Sequence, residues 1–396
     1  MMNTVLAKLA LTVGGSDKGR KTIAWVLAAV LSPLILITAV LCSLASGGAE
    51  HNNTTVKACF YGPNYTEKVP SEFKMHVSEM REAFSLLDSA IASANSSEDS
   101  TGSLDPTMVK AVFFALCFGE DAPTVRAAGQ FVDCFYSEQE LTREVESEDE
   151  NGETVTETET YTAITPLSLS DAYKNLSAEL GREISDEDKD NIKHIYTMIA
   201  GPMGVENYTG AYEVGGQRSV EIDLSTFSDP STKNAHDLAA YAINAWQSGW
   251  GYVWGTYGQI MTEEMFASKH QQYPEGVGSY ADFIQANWVG GRTADCVGLI
   301  KGYGWLDAET LELRYGTNGM PDVGANQMYY NATVSGTIDT IPDTPGLAVW
   351  HDGHIGVYIG SGEVIEAMGT KYGVVKTKLE GRGWTHWLQV PYISYD

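Results

Sequence analysis

Residues 345–369 read PGLAVWHDGHIGVYIGSGEVIEAMG. From His354 to Gly360 the run HIGVYIG is β-branched, glycine-bearing and of period two, which is the pattern of a strand. Gly360, Ser361 and Gly362 turn the chain, and EVIEA returns antiparallel. His354 and Glu366 are symmetric about Gly360, so they are expected roughly opposite each other on neighbouring strands, within reach as a cross-strand pair. An imidazole on a rigid strand, oriented by a carboxylate, lacks only a nucleophile to complete a triad.

Residues 293–305, TADCVGLIKGYGW, offer one. Thr293-Ala294-Asp295 is a capping stretch, and a helix is expected to begin at Cys296. Backbone N–H groups in a helix's first turn lack partners, so they favour a thiolate and leave donors for an oxyanion. The chain has five cysteines: Cys42, Cys59, Cys117, Cys134 and Cys296. Cys296 stands alone in the C-terminal half. No CxxC or Cys/His spacing for a metal occurs, so a structural zinc site is not expected, and thiol chemistry of this kind needs no metal or organic cofactor. Cys296 alone could be a core residue and His354 alone a satisfied strand histidine; their joint occurrence points to a thiol site. His351 is the alternative base.

These motifs resemble the NlpC-type cysteine peptidase family, the papain-like peptidoglycan endopeptidases. Asp295-Cys296-x-Gly298-Leu299 is similar to the family's Asp-Cys-Ser-Gly-Leu box, and the run from Gly353 to Gly360 to its Gly-His-Val-Gly-Ile-Tyr box. Tyr252 in GYVWG matches the tyrosine of its Tyr-x-x-Gly box, and Glu366 falls where the family places its third polar residue. The resemblance covers residues 234–393. It implies a papain-like α+β fold and hydrolysis of a stem-peptide bond, typically the one after γ-D-glutamate. Cys296, His354 and Glu366 would be catalytic, with Tyr252 and Asp295 lining the site. There are departures. Val297 replaces the usual serine, Glu366 stands where His, Asn or Gln are common, and the insert 260–291 separates Tyr252 from Cys296. The rival readings are a wall-binding scaffold without catalysis and an acyl transferase on the same fold.

The peptidase-like region opens with a helix expected over Ala235 to Gln247. Upstream, Ser71 to Ala94 repeats apolar residues in steps of three and four, an amphipathic helix. Asp105-Pro106 caps a nearly all-apolar helix. An acidic stretch, 138–162, centres on Asn151-Gly152 and reads as a solvated β-hairpin or a disordered loop. Leu167 to Ala200 is helical again. Glu120 is the candidate acid for a muramidase activity in this middle region, weighed against a packing or docking role. Cys117 and Cys134 could pair or remain buried thiols.

Residues 23–45 carry no charge and are long enough to span a bilayer. Lys8, Lys18, Arg20 and Lys21 precede them, which places the N-terminus in the cytoplasm and the bulk outside; a cleaved signal peptide is the alternative. With 52 acidic against 25 basic residues the net charge is −27, which repels phosphates and argues against nucleic acid as a partner. The expected organisation is a basic tail (1–22), a transmembrane helix (23–45), a stalk (46–68), a mostly helical accessory domain with an acidic hairpin (69–202), a linker (203–233) and the peptidase-like domain (234–396). This arrangement resembles the wall hydrolases of Gram-positive conjugative transposons. The resemblance implies peptidoglycan stem peptide as substrate and type IV secretion channel proteins as partners at the cell wall.

Overall fold

The computed structural model describes residues 48–62, 69–96, 102–118, 122–148, 154–201 and 204–395. The expected membrane segment 23–45, Glu120 and the Asn151-Gly152 turn lie outside them. Among the described residues no helix is long and apolar enough to cross a membrane.

The N-terminal half is mostly helical: α1 (Gly48–Tyr61), α2 (Ser71–Asn95), α3 (Pro106–Cys117), α4 (Val125–Val132), α5 (Leu169–Leu180) and α6 (Asp186–Ala200). Helix α2 buries Val77, Met80, Phe84, Leu87 and Ile91, the stripe its spacing predicts. Helix α3 starts where Asp105 accepts from the backbone N–H groups of Thr107 and Met108, with Pro106 in its first turn. Ser185 and Asp188 form a capping box on α6. The stretch expected as a stalk differs from that reading: α1 packs Val56, Ala58, Cys59 and Phe60 into the core. Cys117 and Cys134 are both buried and are not joined as a disulfide. Strands β1 (Tyr136–Glu148) and β2 (Thr154–Pro166) pair antiparallel from Tyr136 opposite Pro166 to Glu148 opposite Thr154, a two-stranded ribbon rather than a disordered loop.

The C-terminal half is built on α7 (Ala235–Gln247), β4 (Tyr257–Ile260), α8 (Glu263–Gln272), α9 (Ala281–Asn287), β5 (Arg292–Ala294), α10 (Cys296–Trp305) and α11 (Ala325–Asn331). With them goes a seven-stranded antiparallel sheet of order β3-β10-β9-β8-β7-β11-β6. Its strands are β3 (Tyr212–Val214), β6 (Ser335–Thr337), β7 (Ala348–His351), β8 (His354–Gly360), β9 (Glu363–Gly369), β10 (Gly373–Lys378) and β11 (His386–Leu388). Helices α7 and α10 lie against β8 and β9. The architecture is therefore mixed α+β.

The expected linker also departs from its reading. Its residues 212–214 form the edge strand β3, paired to β10, and Ile222 is buried. One apolar cluster runs from Val56 in α1 to Ile393, so the helical half and the sheet half share a core. Fully buried Leu87, Leu176, Leu238 and Tyr241 lie on both sides of it. Burying each such side chain contributes roughly 1.5–3 kcal/mol.

A candidate active site between helix α10 and strand β8

Cys296 is the first residue of α10. Asp295 caps the helix, accepting from the N–H of Gly298 at 2.6 Å and from that of Gly255 at 2.9 Å. These two bonds tie the helix start to the loop carrying Tyr252. Gly298 is required by that close approach: a Cβ there would lie 1.9 Å from the Thr256 carbonyl oxygen. The backbone N–H groups of Ile355 and Val297 favour the Cys296 thiolate. Ile355 follows His354 on β8, and α10, which begins at Cys296, packs against that strand.

The thiol is only 4 % exposed. Burial, reinforced by the Asp295 charge, pushes its pKa up to about 12, against the opposing pull of the two N–H groups and Lys301. The helix-start effect expected from sequence is present but is outweighed. Burial likewise raises the Asp295 carboxyl, against Lys301 and its two N–H donors.

His354 Nε2 lies 2.7 Å from Glu366 Oε2, with His354 2 % and Glu366 0 % exposed. The two residues do not face each other directly. Val357 pairs with Ile365, so Gly356 is the residue across from Glu366, and a Cβ on Gly356 would come within 3.2 Å of the Glu366 Cβ. Glu366 reaches His354 diagonally across the gap that this glycine leaves. Its carboxylate also accepts from Thr377 Oγ1 (2.7 Å), Arg382 Nε (2.8 Å) and Arg382 Nη2 (2.6 Å). Burial raises the Glu366 pKa, but hydrogen bonds and charge from His354 and Arg382 outweigh it and hold it down to about 2. An ionised carboxylate can only accept. Nε2 therefore carries the hydrogen, and Nδ1 is the ring nitrogen left to act as base. Trp384 stacks on the imidazole with centroids 5.4 Å apart and planes 9° from parallel.

His351, the alternative base, is half-buried, and its Nδ1 lies 3.1 Å from the Asp352 carbonyl oxygen. Burial and the neighbouring His354 lower its pKa to about 4. Nothing holds it as Glu366 holds His354. Tyr252 is wholly buried, its hydroxyl without a hydrogen-bond partner. Burial and the neighbouring Cys296 and Asp295 push its pKa well up.

The site is covered. A small cavity beside Cys296 is lined on one side by Trp254, Asp295 and Lys301, and on the other by Leu104, Asp105 and Ala200 of the helical half. Asp105 Oδ2 accepts from Tyr196 (2.8 Å) and from Tyr273 (3.2 Å), which belongs to the insert after Tyr252. Gly201 lies so close to Gly353 that a Cβ would come within 2.5 Å of the Gly353 Cα. Gly204, at φ +87°, has Gly369 at 2.7 Å and the Tyr252 ring at 3.1 Å from the same construction. The Val205 N–H donates to the Met368 carbonyl at 2.8 Å.

The structure thus joins His354 to Glu366 by a hydrogen bond and sets Asp295, Cys296 and Tyr252 beside one another at the start of α10, which packs on the strand carrying His354. Sequence reading missed Arg382 and the second role of Asp105, which it took only as a helix cap. A faint signal for the first was Gly381-Arg382-Gly383: a charged residue between two glycines, both of which adopt positive φ (78° and 89°). In comparisons with known families, with curated proteins and with solved structures, nothing matches this chain.

Proposed function

We propose that this chain is a cysteine peptidase of the NlpC type, on a papain-like fold, that hydrolyses peptide bonds in the peptidoglycan stem peptide. One observation carries the reading: a helix that starts at a cysteine packs against a strand whose histidine is hydrogen-bonded to a buried, ionised carboxylate. His354 Nδ1 takes the proton from Cys296, and the thiolate attacks the carbonyl carbon. The carbonyl electrons move onto oxygen, held by N–H donors at the start of α10. On collapse, the amine leaves with the proton from His354, giving a thioester, which water then hydrolyses with His354 again as base. Glu366 keeps Nε2 protonated throughout.

Residues 23–45 would anchor the enzyme with its bulk at the wall. Service to a conjugative type IV secretion channel is supported by the order of segments alone. The burial of Cys296 favours the second reading, a wall-binding scaffold on this fold. Muropeptide mass spectrometry separates the two. Purified wall treated with the full chain should yield new peptide fragments, and treatment with Cys296→Ala should yield none. A parent chain that releases nothing, or a variant that releases as much, would remove the peptidase reading.

A further inference from the structure

The thiol is shut in by chain that the Cys–His–Glu chemistry does not use. Residues 204–208, between α6 and β3, lie along the end of β9. Gly204 and Val205 meet Gly369 backbone to backbone. A Cβ on Gly204 would lie 2.7 Å from the Gly369 Cα, and a Cβ on Gly369 would lie 2.6 Å from the Val205 carbonyl oxygen. The Gly204 Cβ would also lie 3.1 Å from Cζ of Tyr252, whose ring neighbours Cys296. Nearby, Gly201 at the end of α6 presses on Gly353, the residue before His354. Ala200, Leu104 and Asp105 wall the cavity beside Cys296. With these segments in place Cys296, His354 and Tyr252 are all buried.

A thiolate attacks a carbonyl carbon from about 3–3.5 Å. A sulfur this deeply buried offers a stem peptide no such approach. The cover over it is held lightly along 204–208. Where glycine backbone faces glycine backbone, no side chain interlocks. The hold comes from hydrogen bonds. The Val205 N–H donates to the Met368 carbonyl (2.8 Å), and the Tyr208 N–H donates to the Tyr372 hydroxyl (2.8 Å). That hydroxyl donates to the Glu206 carbonyl (3.2 Å), and the Tyr280 hydroxyl donates to the Glu206 carboxylate (3.3 Å). The Arg382 guanidinium lies 5.0 Å from the Tyr208 ring. Glu206 and Asn207 are exposed. Each such bond contributes modestly net of water, so a segment held this way can lift while the core stays folded.

We propose that residues 204–208 are an autoinhibitory strap, which shuts Cys296 away and must lift off Gly369 and Tyr252 before a substrate carbonyl can reach the thiol. That a substrate is kept out rests on the peptidase reading; that the thiol is kept in does not. The test measures two rates on the full chain at one pH: kcat/KM on a stem peptide, and iodoacetamide labelling of the Cys296 peptide read by mass spectrometry. Tyr372→Phe removes the hydroxyl that holds both Glu206 and Tyr208. It should raise both rates roughly tenfold, because opening loses two hydrogen bonds fewer. Gly204→Val, which cannot lie on Gly369, should raise labelling at least as far. Lys193→Met breaks an exposed ion pair from α6 to Glu275, outside the strap, and should leave both rates at the parent's. Labelling unchanged in either strap variant that folds would overturn the proposal, as would a Lys193→Met effect as large as theirs. If Gly204→Val does not fold, Tyr372→Phe decides. A Tyr372→Phe chain that labels faster but has a lower kcat/KM would also overturn it, because the strap would then be a wall of the substrate groove. Labelling raised in chains that hydrolyse nothing, the parent included, would count against the peptidase reading and leave the strap standing.

Discussion

At Cys296 two effects of position oppose each other. The start of α10 offers N–H groups that favour a thiolate, while burial and Asp295 favour the thiol, and the thiol wins at about 12. At pH 8 the thiolate fraction is then on the order of 10⁻⁴, against roughly a quarter for a free thiol. Iodoacetamide should therefore label the Cys296 peptide on the order of a thousandfold more slowly in the folded chain than in guanidinium. A folded-state rate near the free-thiol rate would refute this account of the thiol. Glu366 gives a second prediction. Its folded pKa of about 2 lies below the ordinary 4.5. The stability it contributes is thus fully present above pH 4.5 and is lost as pH falls toward 2. Glu366→Gln leaves the Arg382 guanidinium buried without its counter-charge, which costs about 3–5 kcal/mol. In urea unfolding, the gap between parent and variant should be widest at neutral pH and should narrow by pH 3. A gap independent of pH would show that the charge is not what matters.

At the scale of elements, local signals were legible where they sat next to one another in sequence. Asn234 caps α7, which runs from Ala235 to Gln247 as read, and Asp295 caps α10 as read. The pairing of β8 with β9 was legible but its register was not. Gly360, Ser361 and Gly362 all take positive φ, and a bulge between Tyr358 and Gly360 moves Glu366 opposite Gly356. Helix α1 was read as polar because its buried residues crowd into its last turns and leave no long stripe. Asp105 shows how a cap acquires a second role: it caps α3 and also accepts from Tyr196 and Tyr273. Asp105→Ala should cost roughly 2–4 kcal/mol, about 1 from the cap and the rest from two tyrosine hydroxyls left without their acceptor. Urea unfolding at neutral pH measures it, and a loss under about 0.5 kcal/mol would contradict the bridging role.

For the whole molecule, length suggested two domains, and the structure gives both halves one shared apolar cluster. Arg382 with Glu366, and Asp105 with Tyr273, meet across stretches of chain over which no local pattern carries information. The shared core predicts one cooperative unfolding transition. All nine tryptophans except Trp25 lie at or beyond Trp246, whereas far-UV circular dichroism also reports the helical half. Fluorescence and dichroism should therefore give coincident urea curves, and two separated transitions would mean that the halves fold independently. The central claim, however, is chemical: Cys296 is the nucleophile that His354 deprotonates. Mass spectrometry of the full chain, quenched in acid during turnover of a stem peptide, tests it most directly. The account predicts an acyl group, attached as a thioester, on the peptide that contains Cys296, and its absence in His354→Ala. Hydrolysis of the stem peptide with no adduct at Cys296, and at an undiminished rate in Cys296→Ala, would contradict it.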